Sequence, residues 1–409
     1  MSDSANAHVV VVGAGQAGLS VCAKLRELGH AGSLTLIGEE GQAPYQRPPL
    51  SKAYIRGEAT VEQLLLRPAT FYAQQRIDLS IGVRATRIAR EAKAVHLSDG
   101  SALPYDKLVL TTGSCPRRLP EAMCGDLPGI YYLRSLADAD ALAHEIRPGR
   151  RALVIGGGYI GLEAAAVAAS RGVLVTLVEA AERILQRVAA AECADYFRAL
   201  HRAHGVDIRE GVWLQGLRRQ AGRLAGAALS DGTMLDVDFA IAGIGILPNQ
   251  ELAAAAGLET GNGIVVDAFC RTSDRDILAA GDCTSFPFAD RHIRLENVGN
   301  AIDQAEAAAA MLMGREAPYR AKPWFWSDQY DTKLQIAGLS AGHDLIVTRH
   351  GASGAISFWY YRNAALIAVD AMNDSRAYMA GKQLIHAGRS PGPEIVANSA
   401  IDLRSLLKA

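Results

Sequence analysis

At 409 residues, with 49% apolar side chains and 40 glycines, the chain is too long for one ordinary core and has material for two or three domains with buried sheets. A formal net charge of −1 argues against nucleic-acid binding, which needs a basic surface, and no stretch has the length and apolarity of a membrane span. The polar start, MSDSANA, lacks the basic and apolar regions of a secretory signal, so a cytoplasmic chain is expected.

In chain order, the apolar run 8–12 leads into GAGQAG (13–18), a helical stretch that stops at Gly29, and a second apolar run, 34–38, that ends in Glu39. In such a unit the first glycine permits the tight turn out of the strand. The second lets the backbone approach a pyrophosphate, and the third lets helix and strand pack closely. The helix N-terminus offers N–H groups to the phosphates, and the acid accepts the ribose hydroxyls. The candidate ligands here are Gly13, Gly15, Gln16, Ala17, Gly18 and Glu39. Residues 41–75 read as loop-rich, with QRPPLSK (46–52), whose paired prolines are expected to bar a helix. Short β-type runs follow at 79–84, 94–97 and 107–111, and TTG (111–113) closes this half.

A Pro- and Gly-rich crossover, 114–150, leads to a second unit of the same build. The run 152–155 enters GGGYIG (156–161), a helix follows, and the run 173–178 ends in Glu179. Its candidate ligands are Gly156, Gly158, Tyr159, Ile160, Gly161, Glu163, Glu179, Gly243 and Gly245, the last two from the late strand 239–244 and its exit. LPN (247–249) leads back out, the run 277–280 ends in GDC (281–283), and an Ala-rich helix spans 300–313. From Pro323 the texture changes to tryptophans and strand-like runs at 334–338 and 356–361, a small α+β domain.

One glycine fingerprint is a weak signal. Two, each in strand–turn–helix–strand–acid context, say that the chain holds two dinucleotides and moves electrons between them. A carboxylate at Glu179 repels a 2′-phosphate, so NADH is expected over NADPH, with Arg183 and Arg187 on a solvated helix face. None of the six cysteines pairs in a CxxC or CxxxxC spacing, so reduced thiols are expected and a disulfide reductase is disfavoured. No metal or iron–sulfur signature is present.

With both fingerprints, QRPPLSK, TTG, AGIG (242–245), GDC and WFWSDQY (324–330), the chain resembles the FAD-dependent, NADH-using ferredoxin reductases over essentially its whole length. The resemblance implies an α/β fold of glutathione-reductase-like architecture: two Rossmann-like dinucleotide-binding domains plus a small α+β C-terminal domain. It implies an FAD-binding domain from 1–113 and 247–322, an NAD-binding domain at 114–246, and a C-terminal domain at 323–409. FAD would be held by the first fingerprint, with Thr112, Gly113 and Asp282; Arg47, Pro49, Lys52 and Val298 would lie along the flavin, and Trp326 near its ring. NADH would take the second. Lys52 and Glu163 would meet beside the flavin as catalytic residues; unrelated surface charges are the alternative.

The implied activity is electron transfer from NADH through FAD to a 2Fe-2S ferredoxin that feeds a haem-thiolate monooxygenase, by a monomer or weak dimer. Lys333, Arg291 and Arg294 are candidate docking charges for that ferredoxin. Reductases of Rieske-type dioxygenases, NADH oxidases and redox-sensing modules on the same fold are the alternatives.

Overall fold

Four consecutive valines, Val9–Val12, show no alternation of polar and apolar side chains, and β-branched residues favour extended backbone, so they suit a strand covered on both faces. All four are buried. The structure, a computed structural model, describes residues 5–407, so the opening MSDS of the polar start lies outside the described residues.

The chain divides into two units. The first gathers the residues up to Gln46, Val61–Cys115 and Ile246–Pro323; the second gathers Arg47–Thr60, Pro116–Gly245 and the residues from Trp324 onward.

In the first unit a parallel sheet runs in the order Ile277–Ala279, Lys107–Leu110, Val9–Val12, Leu34–Gly38, Asp78–Ile81. The fingerprint strand is central and the acid-bearing strand lies beside it. Helix Gln16–Glu27 follows the fingerprint. Helix Val298–Leu312 packs on it through Ala301, Ala305, Ala308 and Ala309, which share a core with Ala17, Val21 and Leu25. Small side chains let these two helices approach closely.

The second unit repeats the plan. Its parallel sheet runs Asp207–Glu210, Leu174–Glu179, Arg151–Ile155, Phe239–Ala242, Ile130–Tyr131. The crossover thus supplies an edge strand, and also helix Leu136–Ala143, started by a capping box between Ser135 and Asp138. An antiparallel sheet follows in the same unit, ordered Trp324–Gln329, Thr332–Gly338, Ala365–Met372, Ile356–Arg362, Leu345–His350. Its Leu334, Ile336, Phe358 and Tyr360 share one core with Leu162, Leu177 and Phe197.

Two local expectations are corrected. Pro48–Ser51 is a short 3-10 helix, with prolines in its first positions, where a missing N–H leaves no bond unmade. The segment carrying Arg183 and Arg187 is a series of bends and turns, not a helix face. Among the described residues no helix is long and apolar enough to cross a membrane.

Candidate active site

Both fingerprints make the same turn. Gly13 and Gly156 sit at φ +115° and +103°, where side chains are strained. A Cβ on Gly13 would fall 2.1 Å from the Thr111 carbonyl oxygen, and one on Gly156 would fall 2.5 Å from that of Gly243. On Gly18 it would lie 2.0 Å from the Gly13 oxygen, and on Gly161 2.0 Å from the Gly156 oxygen. These four glycines serve the packing of the chain itself.

Gly15 and Gly158 do not. Both have extended backbone at negative φ, and a Cβ on either would meet no atom within 4 Å. Nothing in the polypeptide demands glycine there, whereas a pyrophosphate lying against the backbone does. Each is the N-cap of its helix without a side-chain cap, so first-turn N–H groups remain for an anion. The residues fit a dinucleotide at each turn.

The two acids are built differently. Glu39 is 68% exposed and its nearest cation, Arg84, is 3.8 Å away. Glu179 is latched: Oε2 accepts the Gly157 N–H at 2.7 Å and Oε1 accepts the Ala181 N–H at 2.8 Å. Arg183 turns inward, donating to the carbonyls of Ile184, Ala189 and Ala190, so it is not the solvated charge expected. Arg187 is exposed, with its guanidinium 3.7 Å from a Cβ built on Gly245. Gly243 packs against Gly156 and Gly161, and Ile160 is exposed at the start of the helix.

In the first unit, the Thr111 hydroxyl donates to the carbonyls of Val12 and Gly13. Thr112 Oγ1 donates to the Asn249 carbonyl at 2.6 Å, and Asn249 Nδ2 donates to the Thr112 carbonyl at 2.8 Å, which ties LPN to TTG beside Gly113. Asp282 accepts the Ser114 hydroxyl at 3.2 Å. Gln16 Nε2 lies 3.3 Å from Ser20 Oγ, and Ala17 packs beside Gly281. Val298 opens a helix whose N-cap, Asn297, accepts the Asn300 N–H at 2.7 Å.

The second unit brings together residues far apart in sequence. Helix Tyr159–Ser170 carries Glu163, 4% exposed. Lys52, at the end of the 3-10 turn, points its ammonium at Glu163 Oε2, 2.6 Å away. Ser51 donates to the same oxygen at 2.6 Å, and Ser327 donates to Oε1 at 2.7 Å. Lys52 and Glu163 are therefore a largely buried ion pair rather than unrelated surface charges. Arg47, on the same turn as Pro49, donates to the Arg134 carbonyl at 2.8 Å. Trp326 is half-buried and stacks on Trp324 at 5.5 Å. Tyr159 buries its hydroxyl, and burial pushes its pKa well up. Deeper still, Asp370 accepts the Tyr360 hydroxyl at 2.5 Å, and burial raises its carboxyl to about 7.

Sequence reasoning missed Ser51, Ser327 and Gln329. The signal was there for the last two: in the strand Trp324–Gln329, Ser327 and Gln329 alternate with Trp324, Trp326 and Asp328, so two polar residues share the buried face. Arg294 is mostly buried and paired with Glu296, which corrects its reading as a docking charge; Arg291 and Lys333 are exposed. All six cysteines are free, and Cys22, Cys193, Cys270 and Cys283 are buried. Among the described residues no cluster of His, Cys, Asp or Glu could hold a metal ion.

Comparison with known proteins adds an independent line. Residues 7–310 match the model of the pyridine nucleotide-disulphide oxidoreductase family, and residues 324–407 match that of a reductase C-terminal domain. The chain is 41% identical to rhodocoxin reductase of Rhodococcus erythropolis over 97% of its own length and 93% of that protein. It is 42% identical to putidaredoxin reductase of Pseudomonas putida, over 99% and 98%. The crystal structure of the covalent putidaredoxin reductase–putidaredoxin complex contains a chain that matches at a TM-score of 0.95 and 42% identity, covering 98% of each.

Proposed function

The chain belongs to the pyridine nucleotide-disulphide oxidoreductase family, and we propose that it acts there as an NADH-dependent ferredoxin reductase, passing electrons through FAD to a 2Fe-2S ferredoxin that feeds a haem-thiolate monooxygenase. The observation that carries this reading is the pair of fingerprints in one chain, each with a second glycine that packing does not require and that a pyrophosphate lying against the backbone would. The relatives named for rhodocoxin and putidaredoxin, and the neighbour solved with putidaredoxin, support a small redox protein as partner.

Bound FAD supplies the link between a two-electron hydride donor and a one-electron acceptor. The chain's own residues bind and orient. Gly15, on the turn that Gly13 and Gly18 shape, and the N–H groups opening helix Gln16–Glu27 would hold one pyrophosphate, and Glu39 would take the ribose hydroxyls. Arg47, Pro49, Lys52, Thr112, Gly113, Asp282, Val298 and Trp326 would complete that set. Gly158, on the turn that Gly156 and Gly161 shape, and the opening of helix Tyr159–Ser170 would hold the nicotinamide dinucleotide, with Glu179 at its ribose. Tyr159, Ile160, Gly243 and Gly245 would line that site.

The Lys52 ammonium favours negative charge beside it, and Glu163 fixes where that ammonium stands. The FAD domain would comprise 1–113 and 247–322, the NAD domain 114–246 and the C-terminal domain 323–409. Six free thiols support a reducing compartment, the cytoplasm. Exposed Lys333 and Arg291 suit an acidic partner, met by a monomer or weak dimer.

The test is direct. The purified protein should be yellow, and anaerobic NADH should bleach it. Added 2Fe-2S ferredoxin should then be reduced over many turnovers, with a rate that falls as salt rises. A colourless protein, or one that NADH bleaches but that reduces no ferredoxin, overturns the reading.

A further inference from the structure

The buried face of the strand Trp324–Gln329 continues past Glu163 into a chain of hydrogen bonds. Gln329 Nε2 lies 3.1 Å from Ser327 Oγ, Gln329 Oε1 lies 2.8 Å from His201 Nε2, and the Tyr330 hydroxyl lies 3.2 Å from His201 Nδ1. Ser327, Gln329 and His201 are fully buried. His201 lies on helix Ala191–Ala203, and His204, exposed at the C-cap of that helix, stacks on the Tyr330 ring at 3.7 Å and closes the outer end.

Donor and acceptor capacity fixes the direction. Glu163, facing Lys52 as a carboxylate, can only accept, so Ser327 gives it its single hydroxyl hydrogen. The Ser327 oxygen can then only accept, and it takes the Gln329 amide N–H. That leaves the Gln329 oxygen toward His201, so the His201 proton is on Nε2. Nδ1 is bare and accepts from Tyr330. Burial lowers the His201 pKa to about 4, so at neutral pH the ring is neutral and holds one tautomer. Four successive donors point one way and end on one carboxylate oxygen, an arrangement in which each bond polarises the next.

We infer that His201 is a positioning residue for the reaction proposed above: through Gln329 and Ser327 it fixes the Glu163 carboxylate in the rotamer that holds the Lys52 ammonium. The inference rests on that functional reading for its consequence, but not for its geometry. A satisfied core histidine would need only to fill its space. A positioning histidine needs its Nε2 donor, because only Nε2 faces the chain that leads to Glu163.

Three substitutions separate the two. His201→Gln keeps a donor where Nε2 stands, His201→Asn keeps one only where Nδ1 stands, and His201→Leu keeps neither. Anaerobic stopped-flow should give limiting rates of flavin reduction near wild type for His201→Gln and lower by about tenfold for the other two, with NADH affinity unchanged in all three. Melting temperatures identify a purely structural loss, which would not sort the variants by nitrogen.

Nitrogen-15 NMR of the wild-type histidine rings, assigned by the signal missing in His201→Gln, should show the proton on Nε2 alone. A proton on Nδ1, or rates that fall equally in His201→Gln and His201→Asn, or rates unchanged in all three, overturns the inference. A wild-type protein that NADH does not reduce while the ring keeps its Nε2 proton overturns the functional reading and, with it, the role assigned here, leaving only the bond chain.

Discussion

Lys52 Nζ and Glu163 Oε2 are 2.6 Å apart, although 111 residues separate them in sequence, and both side chains are largely withdrawn from solvent. Breaking a buried pair from one side leaves the other charge stranded, which costs about 3–5 kcal/mol, whereas removing both at once costs much less. Lys52→Met and Glu163→Leu should each lower stability by about 3 kcal/mol, and the double variant should lose well under the sum. Denaturant melts of the four proteins measure this.

The same pair bears on rate. Glu163→Ala and Lys52→Ala should slow flavin reduction by NADH by about a hundredfold while FAD stays bound. Stopped-flow traces at the wild-type rate in both variants, with full visible absorbance, would remove Lys52 and Glu163 from the reaction.

The glycines sort into two groups that alanine should separate. Gly18→Ala and Gly161→Ala put a methyl 2.0 Å from a carbonyl oxygen and should lose several kcal/mol or fail to fold. Gly15→Ala and Gly158→Ala touch nothing in the chain and should melt near the wild-type temperature when all are compared free of nucleotide. Gly15→Ala should nevertheless be purified without FAD, and Gly158→Ala should keep FAD but bind NADH weakly. Absorbance and NADH titration read the outcome; Gly15→Ala retaining its full flavin would count against a ligand at that turn.

Thiol chemistry should follow burial. Cys115 is exposed and Cys124 half-exposed, while burial pushes the Cys22 and Cys270 thiols up to about 12 and raises Cys193 and Cys283 as well. A thiol reagent at neutral pH should modify two cysteines in the folded protein and the other four only after unfolding.

Two buried groups should oppose each other as pH falls. Asp370 has its folded pKa raised to about 7, so its contribution to stability is complete below about 4, the unfolded value, and is lost as pH rises through 7. His201 has its folded pKa lowered to about 4, so its contribution is complete above about 6.5 and is lost as pH falls toward 4. The two spans correspond to about 4 and about 3 kcal/mol, of opposite sign and in nearly the same window. Asp370→Asn should therefore gain on wild type at pH 8 and lose that advantage on acidification, while His201→Gln should gain on wild type only below pH 6.5. Parallel curves for wild type and both variants between pH 4 and 8 would contradict this.

The architecture was legible because its parts are local. A strand, a glycine turn, a helix and an acid occupy some thirty residues, and each piece leaves its own mark, so both fingerprint turns and both acids could be read in place. The Glu163 surroundings were not legible in the same way. Ser51, Ser327 and His201 come from a proline-led turn, an antiparallel strand and a different helix, and only tertiary packing makes them neighbours. Polar side chains on the buried face of Trp324–Gln329 were the one visible trace. The proline reading failed for a positional reason: the ring forbids the middle of a helix and suits its first turn.

Glu179 has a second employment that limits what an engineer can do with this chain. Re-targeting a reductase toward a phosphorylated coenzyme begins by deleting this acid, but here its two oxygens also hold the Gly157 and Ala181 amides. On the ribose role proposed for Glu179, a swap to serine or arginine would unfasten the turn as it removed the repulsion, so coenzyme preference and loop rigidity would change together. Glutamine, which keeps one amide acceptor and drops the charge, is the substitution from which such a redesign would have to start.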